Sequence, residues 1–219
     1  GISIIVPTYN CSDNLEKLLQ SIFTQSLQPD EIIIVDSSTD RLIEDLSASI
    51  TTELTLVYVR SIKEYPGEKR NEGALAASHE WLAFLDVGTI PRKNWLNISM
   101  TLAIEGKNDV VFGHTKYRAL NNYQKLLRAA TYGSFGHETT PGTLVQEKNF
   151  QRSGGFIEGI RAGDDQEWRL QLRDVCKKLT TPEDITLDYS SLPNSLIALQ
   201  KKYFIYYMHS AKVRAQRNT

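Results

Sequence analysis

Three carboxylate positions stand out by residue type and setting. Asp36 and Asp86 each follow directly on an apolar run, Ile32-Ile33-Ile34-Val35 and Trp81-Leu82-Ala83-Phe84-Leu85, and Asp164-Asp165 form an adjacent pair at the head of a helical pattern. An ionised carboxylate can take a proton from a hydroxyl, accept from a ring N–H or share a hard cation. Each position also has a plainer use. An Asp after a strand starts a turn, here with Pro91 downstream, and paired acids suit the positive end of a helix. The loop Pro7-Thr8-Tyr9-Asn10-Cys11-Ser12-Asp13 contains no glycine, and the chain has no P-loop. A nicotinamide-type oxidoreductase, which needs glycines there for close approach to pyrophosphate, is therefore disfavoured. Any phosphate bound at this edge needs a metal ion or Lys/Arg instead.

The elements that position these residues follow from periodicity. Ile2–Val6, Glu31–Asp36, Leu54–Val59, Trp81–Asp86 and Asp109–Gly113 read as strands. Helices are expected over Leu15–Phe23 (capped by Asn10 or Ser12), Arg41–Ile50, Glu68–Ser78 and Lys93–Glu105. Strands alternating with helices imply an α/β fold with a largely parallel, Rossmann-like sheet flanked by helices. Right-handed crossovers put the strand ends on one edge, so Asp36 and Asp86 are expected to face one crevice. Beyond residue 113 the pattern is less regular. It suggests a helix over Tyr117–Tyr132, a breaker-rich loop over Phe135–Gly142, and a strand over Gly142–Gln146. A tight turn at Gly154-Gly155-Phe156 follows, then helices over Asp164–Leu179 and Ser195–Val213.

A chain of 219 residues with 41% hydrophobic content suits one domain with a sizeable core. The net charge of −1 gives no electrostatic case for a nucleic-acid partner. Cys11 and Cys176 match no disulfide framework or zinc spacing, which fits a reducing, cytoplasmic setting. No run is long and apolar enough to cross a bilayer. Gly1 leads directly into a strand, as expected for a piece of a longer chain. His79, His114, His137 and His209 show no metal spacing, although His137-Glu138 could touch a second substrate. Trp81, Trp95 and Trp168 read as packing residues, with a sugar platform as the other use of Trp168. Lys201–Met208 with Lys212, Arg214 and Arg217 is basic and aromatic. It fits a packed helix, or peripheral contact with the inner face of a membrane.

Five motifs, in order, carry a family resemblance. They are Ser3-Ile-Ile-Val-Pro-Thr-Tyr-Asn10, Glu31–Ser38, Gly67-Glu-Lys-Arg70-Asn71-Glu-Gly73, Phe84-Leu-Asp86 and Gly154-Gly155-Phe156. In this order and spacing, over roughly Ile2–Arg173, the chain resembles the family 2 glycosyltransferases of the GT-A fold. The resemblance implies one catalytic domain, with a nucleotide-binding half over residues 1–113 and an acceptor-binding half over 114–219. It implies inverting transfer from a nucleotide-diphosphate sugar, UDP-linked, to a glycan or lipid-linked hydroxyl acceptor in surface polysaccharide assembly. Pro7, Thr8, Tyr9, Asn10 and Ser37 would line the nucleoside site, Asp36 would bind the base, and Arg70 would lie near base or phosphate. Asp86 matches the first acid of the Asp-x-Asp motif, near ribose and a divalent metal (Mn²⁺ or Mg²⁺). Asp165 matches the catalytic base, with Asp164 in place of the preceding Glu.

Two departures qualify the resemblance. Gly88 stands where the second acid of Asp-x-Asp is expected, removing one metal ligand and raising the alternative of a catalytically degenerate sugar-nucleotide-binding domain. The Gln-x-x-Arg-Trp motif of processive synthases is absent, Gln171-Leu-Arg173 being a faint echo, so single addition is expected.

Overall fold

In the computed structural model, which describes residues 1–210 and Val213, the runs at Ile2–Thr8, Glu31–Asp36 and Trp81–Phe84 form strands buried on both faces, while Thr55–Arg60 is a partly buried strand at the sheet edge. Strand β1 (Ile2–Thr8) leads to helix α1 (Ser12–Phe23), β2 (Glu31–Asp36), α2 (Leu42–Ser49), β3 (Thr55–Arg60), α3 (Pro66–Ala76) and β4 (Trp81–Phe84). These four strands are parallel in the order β3-β2-β1-β4. Alternate residues of β2 serve two cores, as a period of two requires. Ile32 and Ile34 join Leu15, Leu18 and Ile22 of α1, while Ile33 and Val35 join Phe84, Phe156 and Trp168 on the opposite face. Gly73 lets α3 lie close on the sheet, because a Cβ there would come within 2.5 Å of Ile5. That close approach sets Lys69 and Arg70 over the carboxyl edge.

The second half departs from the expected parallel pattern, and the whole sheet is mixed. After β5 (Thr89–Pro91) and α4 (Trp95–Ile104) come β6 (Val110–Tyr117), α5 (Asn122–Thr131), β7 (His137–Gln146) and α6 (Glu147–Ser153). Then follow α7 (Asp164–Val175), β8 (Leu179–Thr180), β9 (Leu187–Tyr189) and α8 (Leu196–Ser210). β7 inserts antiparallel between β4 and β6, and β5 pairs antiparallel with β9.

Several expectations need correction. Phe135–Gly142 is not simply a loop, because β7 begins at His137. Its Pro141 and Gly142 (φ +89°) fall in a bulge where the β6 register shifts between Val111 and Gly113, and a bulge tolerates both breakers. The helix expected from Tyr117 starts at Asn122, since the Asn121 side chain caps it by accepting from the Gln124 N–H at 2.9 Å. The helix expected to reach Leu179 stops at Val175. There the Asp109 carboxylate accepts from the Lys177 and Lys178 N–H groups and turns the chain into β8. Neither Asn10 nor Ser12 caps α1, whose N-cap residue is Cys11. The helix expected to end at Val213 is described as α8 through Ser210, while Lys212, Arg214 and Arg217 lie outside the described residues.

Trp168 is fully buried among Phe84, Phe150 and Phe156, and its Nε1–H donates to Ser153 Oγ at 3.1 Å. It is a core residue and cannot serve as a sugar platform. Trp168→Ala should cost about 3–5 kcal/mol, read from denaturant unfolding. A platform residue would instead raise an acceptor KM while leaving the unfolding midpoint in place.

Candidate active site

Between β1 and β4 the strand order reverses, the usual place for a ligand crevice in an open α/β sheet. β1 pairs with β4 only as far as Ile5–Phe84, so Pro7 and Thr8 continue beyond the end of β4. Pro7 sits where no β4 partner needs its missing N–H. A two-lobed cleft opens at this point. One lobe, about 470 Å³, is lined by Pro7, Thr8, Tyr9, Lys69, Arg161 and Lys202 among others. The other, about 380 Å³, is lined by residues that include Tyr117, Tyr132, His137, Asp164 and Asp165. Asp86, Pro66, Arg161 and Tyr206 border both.

Arg70 joins the lobes. Its guanidinium donates through Nη2 to Asp86 Oδ1 at 2.7 Å and through Nη1 to Asp164 Oδ2 at 2.9 Å. The side chain is buried and lies over the Phe156 ring, 5.1 Å from its centroid. Desolvation opposes its charge, but Asp86 and Asp164 more than offset this and hold the proton more tightly than usual. Burial lifts the Asp164 carboxyl to about 6 despite the adjacent cation. The neighbouring Asn71 clamps the backbone of Phe156, accepting from its N–H and donating to its C=O, each at 2.8 Å. The motifs at 67–73 and 154–156 are thus two sides of one contact.

The residues expected at a nucleoside site divide into two groups. Pro7, Thr8 and Tyr9 line the larger lobe. Asn10 (φ +47°), Ser37 and Asp36 lie behind it. The Asn10 side chain accepts from the Thr39 N–H at 3.0 Å, tying the two loops together. The Asp36 carboxylate is fully enclosed. It accepts from Thr8 Oγ1, the Ser38 N–H, Ser38 Oγ, Tyr58 Oη and Arg60 Nη1. Contact between Asp36 and a base therefore requires Tyr58 or Arg60 to move aside. Lys69, which the sequence reading passed over in favour of Arg70, is buried and donates to the Thr8 C=O at 2.8 Å and Ser37 Oγ at 2.9 Å. Desolvation lowers its ammonium to about 8. Its available signal was its place beside Arg70 inside the Gly67–Gly73 motif.

The residues around Asp86 do not fit a preformed divalent-metal site. One Asp86 oxygen is committed to Arg70, and no group of three or more His, Cys, Asp or Glu suited to a metal occurs among the described residues. The space for an acidic side chain at residue 88 is also filled, since a Cβ on Gly88 would lie 2.9 Å from the Tyr189 ring and 3.2 Å from Ser191 Oγ.

In the smaller lobe, Asp164 and Asp165 open α7 and differ sharply. Asp164 is buried against Arg70, so it is neither a cap nor a surface residue. Asp165 is partly exposed and lines the lobe, and no Lys or Arg among the described residues forms an ion pair with it. Facing it, Tyr117 and Tyr132 stack at 3.8 Å, and His137, with its Nε2 2.6 Å from the Tyr132 carbonyl oxygen, sits edge-on to Tyr117. Glu138 borders the lobe but is held by Arg173 at 2.5 Å and by Thr181. Tyr206, from α8, was also missed as a site residue, because nothing in the sequence placed that helix over the cleft.

Arg70→Ala strands the buried Asp164 charge and should cost about 3–5 kcal/mol in denaturant unfolding. Arg70→Lys should recover only part, because an ammonium lacks the fork that spans both carboxylates. The raised Asp164 value also has a signed consequence. The folded value, about 6, exceeds the unfolded 3.8, so the native state binds the proton more readily between those pH values. This contribution is fully present below the unfolded value and is lost as pH rises through about 6. The stability difference between wild type and Asp164→Asn should shrink over that window by at most about 3 kcal/mol. A difference independent of pH would show that Asp164 does not titrate there.

Comparison with known proteins agrees with this geometry. The family model described as glycosyl transferase family 2 matches residues 3–176. A poly(ribitol-phosphate) beta-glucosyltransferase of Bacillus spizizenii is 31% identical over 213 residues, 86% of this chain and 32% of that protein. Glycosyltransferase AglE of Haloferax volcanii is 22% identical over 197 residues, 84% of this chain and 65% of that protein. The chain thus spans less than two thirds of the length of these relatives. Among solved structures, S. aureus TarS in complex with UDP-GlcNAc superposes with a TM-score of 0.69 at 19% identity, covering 89% of this chain and 59% of that one. The mannosyltransferase PcManGT of Pyrobaculum calidifontis, in complex with GDP-Man and Mn²⁺, superposes with a TM-score of 0.70 at 18% identity, covering 95% and 62%. The shared fold is GT-A, and the family match over most of the domain shows that this chain belongs to glycosyl transferase family 2.

Proposed function

We propose that the chain transfers a sugar with inversion from a nucleotide-diphosphate donor, UDP-linked, to a hydroxyl of a glycan or lipid-linked acceptor in surface polysaccharide assembly. The observation that carries this reading is the division between adjacent aspartates: Asp164 is buried on Arg70, while Asp165 opens onto the smaller lobe. The larger lobe, built from residues 1–113 with α8 and Arg161, takes the donor; the smaller takes the acceptor. Asp165 accepts the acceptor proton as its oxygen attacks the anomeric carbon, and the bond to the diphosphate breaks on the opposite face. Asp86, at the junction, lies at the ribose and the transferred sugar. Thr8 and Asp36 hold the base end of the lobe. The aromatic group of Tyr117, Tyr132 and His137 offers flat faces to an acceptor sugar.

On α8, Ile197, Phe204, Tyr207 and Met208 are all more than half exposed beside Lys201, while no described helix is long and apolar enough to cross a membrane. This supports peripheral contact with the inner face of a membrane carrying the acceptor.

The alternative, a binding domain that has lost catalysis, draws on Gly88 and the committed state of Asp86. Turnover separates the two. Asp165→Asn should lower single-turnover transfer by about 10²–10⁴-fold and leave donor affinity nearly unchanged. Transfer undiminished in Asp165→Asn places the base elsewhere, and no transfer or donor hydrolysis by the wild type with any nucleotide sugar leaves the binding-domain reading.

A further inference from the structure

We propose that Arg161 and Lys202, with Lys69 behind them, neutralise the donor diphosphate in place of a divalent cation. This rests on the nucleotide-diphosphate donor proposed above. All three line the larger lobe and come from separate places in the chain: α3, the segment before α7, and α8. None of the three has a carboxylate ion-pair partner among the described residues, unlike Arg60, Arg70, Arg92, Arg118 and Arg173. Lys69 has the buried Asp36 as its nearest opposite charge, but Arg161 and Lys202 pair with no acid among the described residues, and Arg161 acts on Lys69 as a like charge, a repulsion that a bound anion relieves. The acids in the same lobe are few. Glu64 is exposed, and Asp86 is already balanced by Arg70.

The arrangement around residue 88 points the same way. Tyr189 and Ser191 occupy the place of a second metal-binding acid, so the site is built without one. Lys69 is fixed by Thr8 and Ser37, which leaves one of its three N–H donors for the lobe. The Arg161 backbone N–H donates to His209 Nδ1 at 3.4 Å, so α8 and the segment before α7 meet at this wall of the lobe. During transfer, the acceptor oxygen bonds to the anomeric carbon and its proton passes to Asp165. The electron pair of the breaking C–O bond goes to the diphosphate oxygen, and the charge gained there falls between these cations.

The test compares affinities of UDP and GDP with uridine and guanosine by calorimetry, in EDTA and in Mn²⁺. It uses wild type, Arg161→Met, Lys202→Met and the double variant, each checked for unchanged unfolding. In EDTA the wild type should bind its diphosphate at least about tenfold tighter than the nucleoside, and the double variant should bring the two within about threefold with nucleoside affinity unaltered. A diphosphate advantage that appears only with Mn²⁺, or that survives in the double variant, overturns the inference and leaves the donor reading standing. Failure of every nucleoside and nucleotide to bind overturns both.

Discussion

A single buried guanidinium organises the cleft. Arg70 lies on the helix that covers the parallel strands, Asp86 ends the strand beside the switch point, and Asp164 opens a helix 94 residues further along the chain. Taking a cation out of water is expensive, and two carboxylates with fork geometry are what repay it. The pairing ties α3, the end of β4 and the start of α7 to one another. The Phe156 ring beneath the guanidinium, held through its backbone by Asn71, completes the seat. If α7 slid by one residue, Asp165 would stand where Asp164 does, and the smaller lobe would lose its open carboxylate.

The strands explain why a cleft exists at that spot. β1 outruns β4, and the chain that leaves β4 turns back at Thr89, whose N–H and hydroxyl both bond the Asp86 carbonyl. The gap lies between the parallel layer and the antiparallel β7–β6 pair that follows. The first layer carries the loop that follows β1, and the second brings the aromatic residues and, through α6, the start of α7. A sheet parallel throughout would have lacked this inward turn.

Much of the first half was legible because its signals are local. Apolar runs ending in Asp, helical stripes and the ordered motifs located β1 to β4 and α1 to α4 within a few residues. The second half was not, because its strands are short, polar or broken by residues that only a bulge accommodates. Pro141 and Gly142 read as loop formers, and only pairing with β6 makes their neighbours a strand. The functions of Asp86 and Arg70 as partners were invisible, since a salt bridge between distant residues leaves no trace in spacing. Asp36 shows the converse. Its position was legible, but its five internal donors were not, and they make it first a bolt between loops. Lys69, Arg161 and Tyr206 escaped notice because each looks ordinary in its own stretch.

The adjacent aspartates show how one helix turn separates two tasks. Neighbouring residues on an α-helix point about 100° apart, so at the start of α7 one faces the core and the other the cleft. A proton acceptor must reach the substrate hydroxyl and must be free of a competing partner. Asp164 meets neither condition: it is buried, its oxygen is held by Arg70, and desolvation favours its neutral form. Asp165 meets the geometric one because Asp164 has taken the inward direction. On the proposed assignment of Asp165 as the base, the inner acid is a positioning residue, tied to Arg70 while the outer acid lines the lobe. Reversing the two would need a rotation of α7 that Trp168, buried one turn later in the aromatic core, prevents.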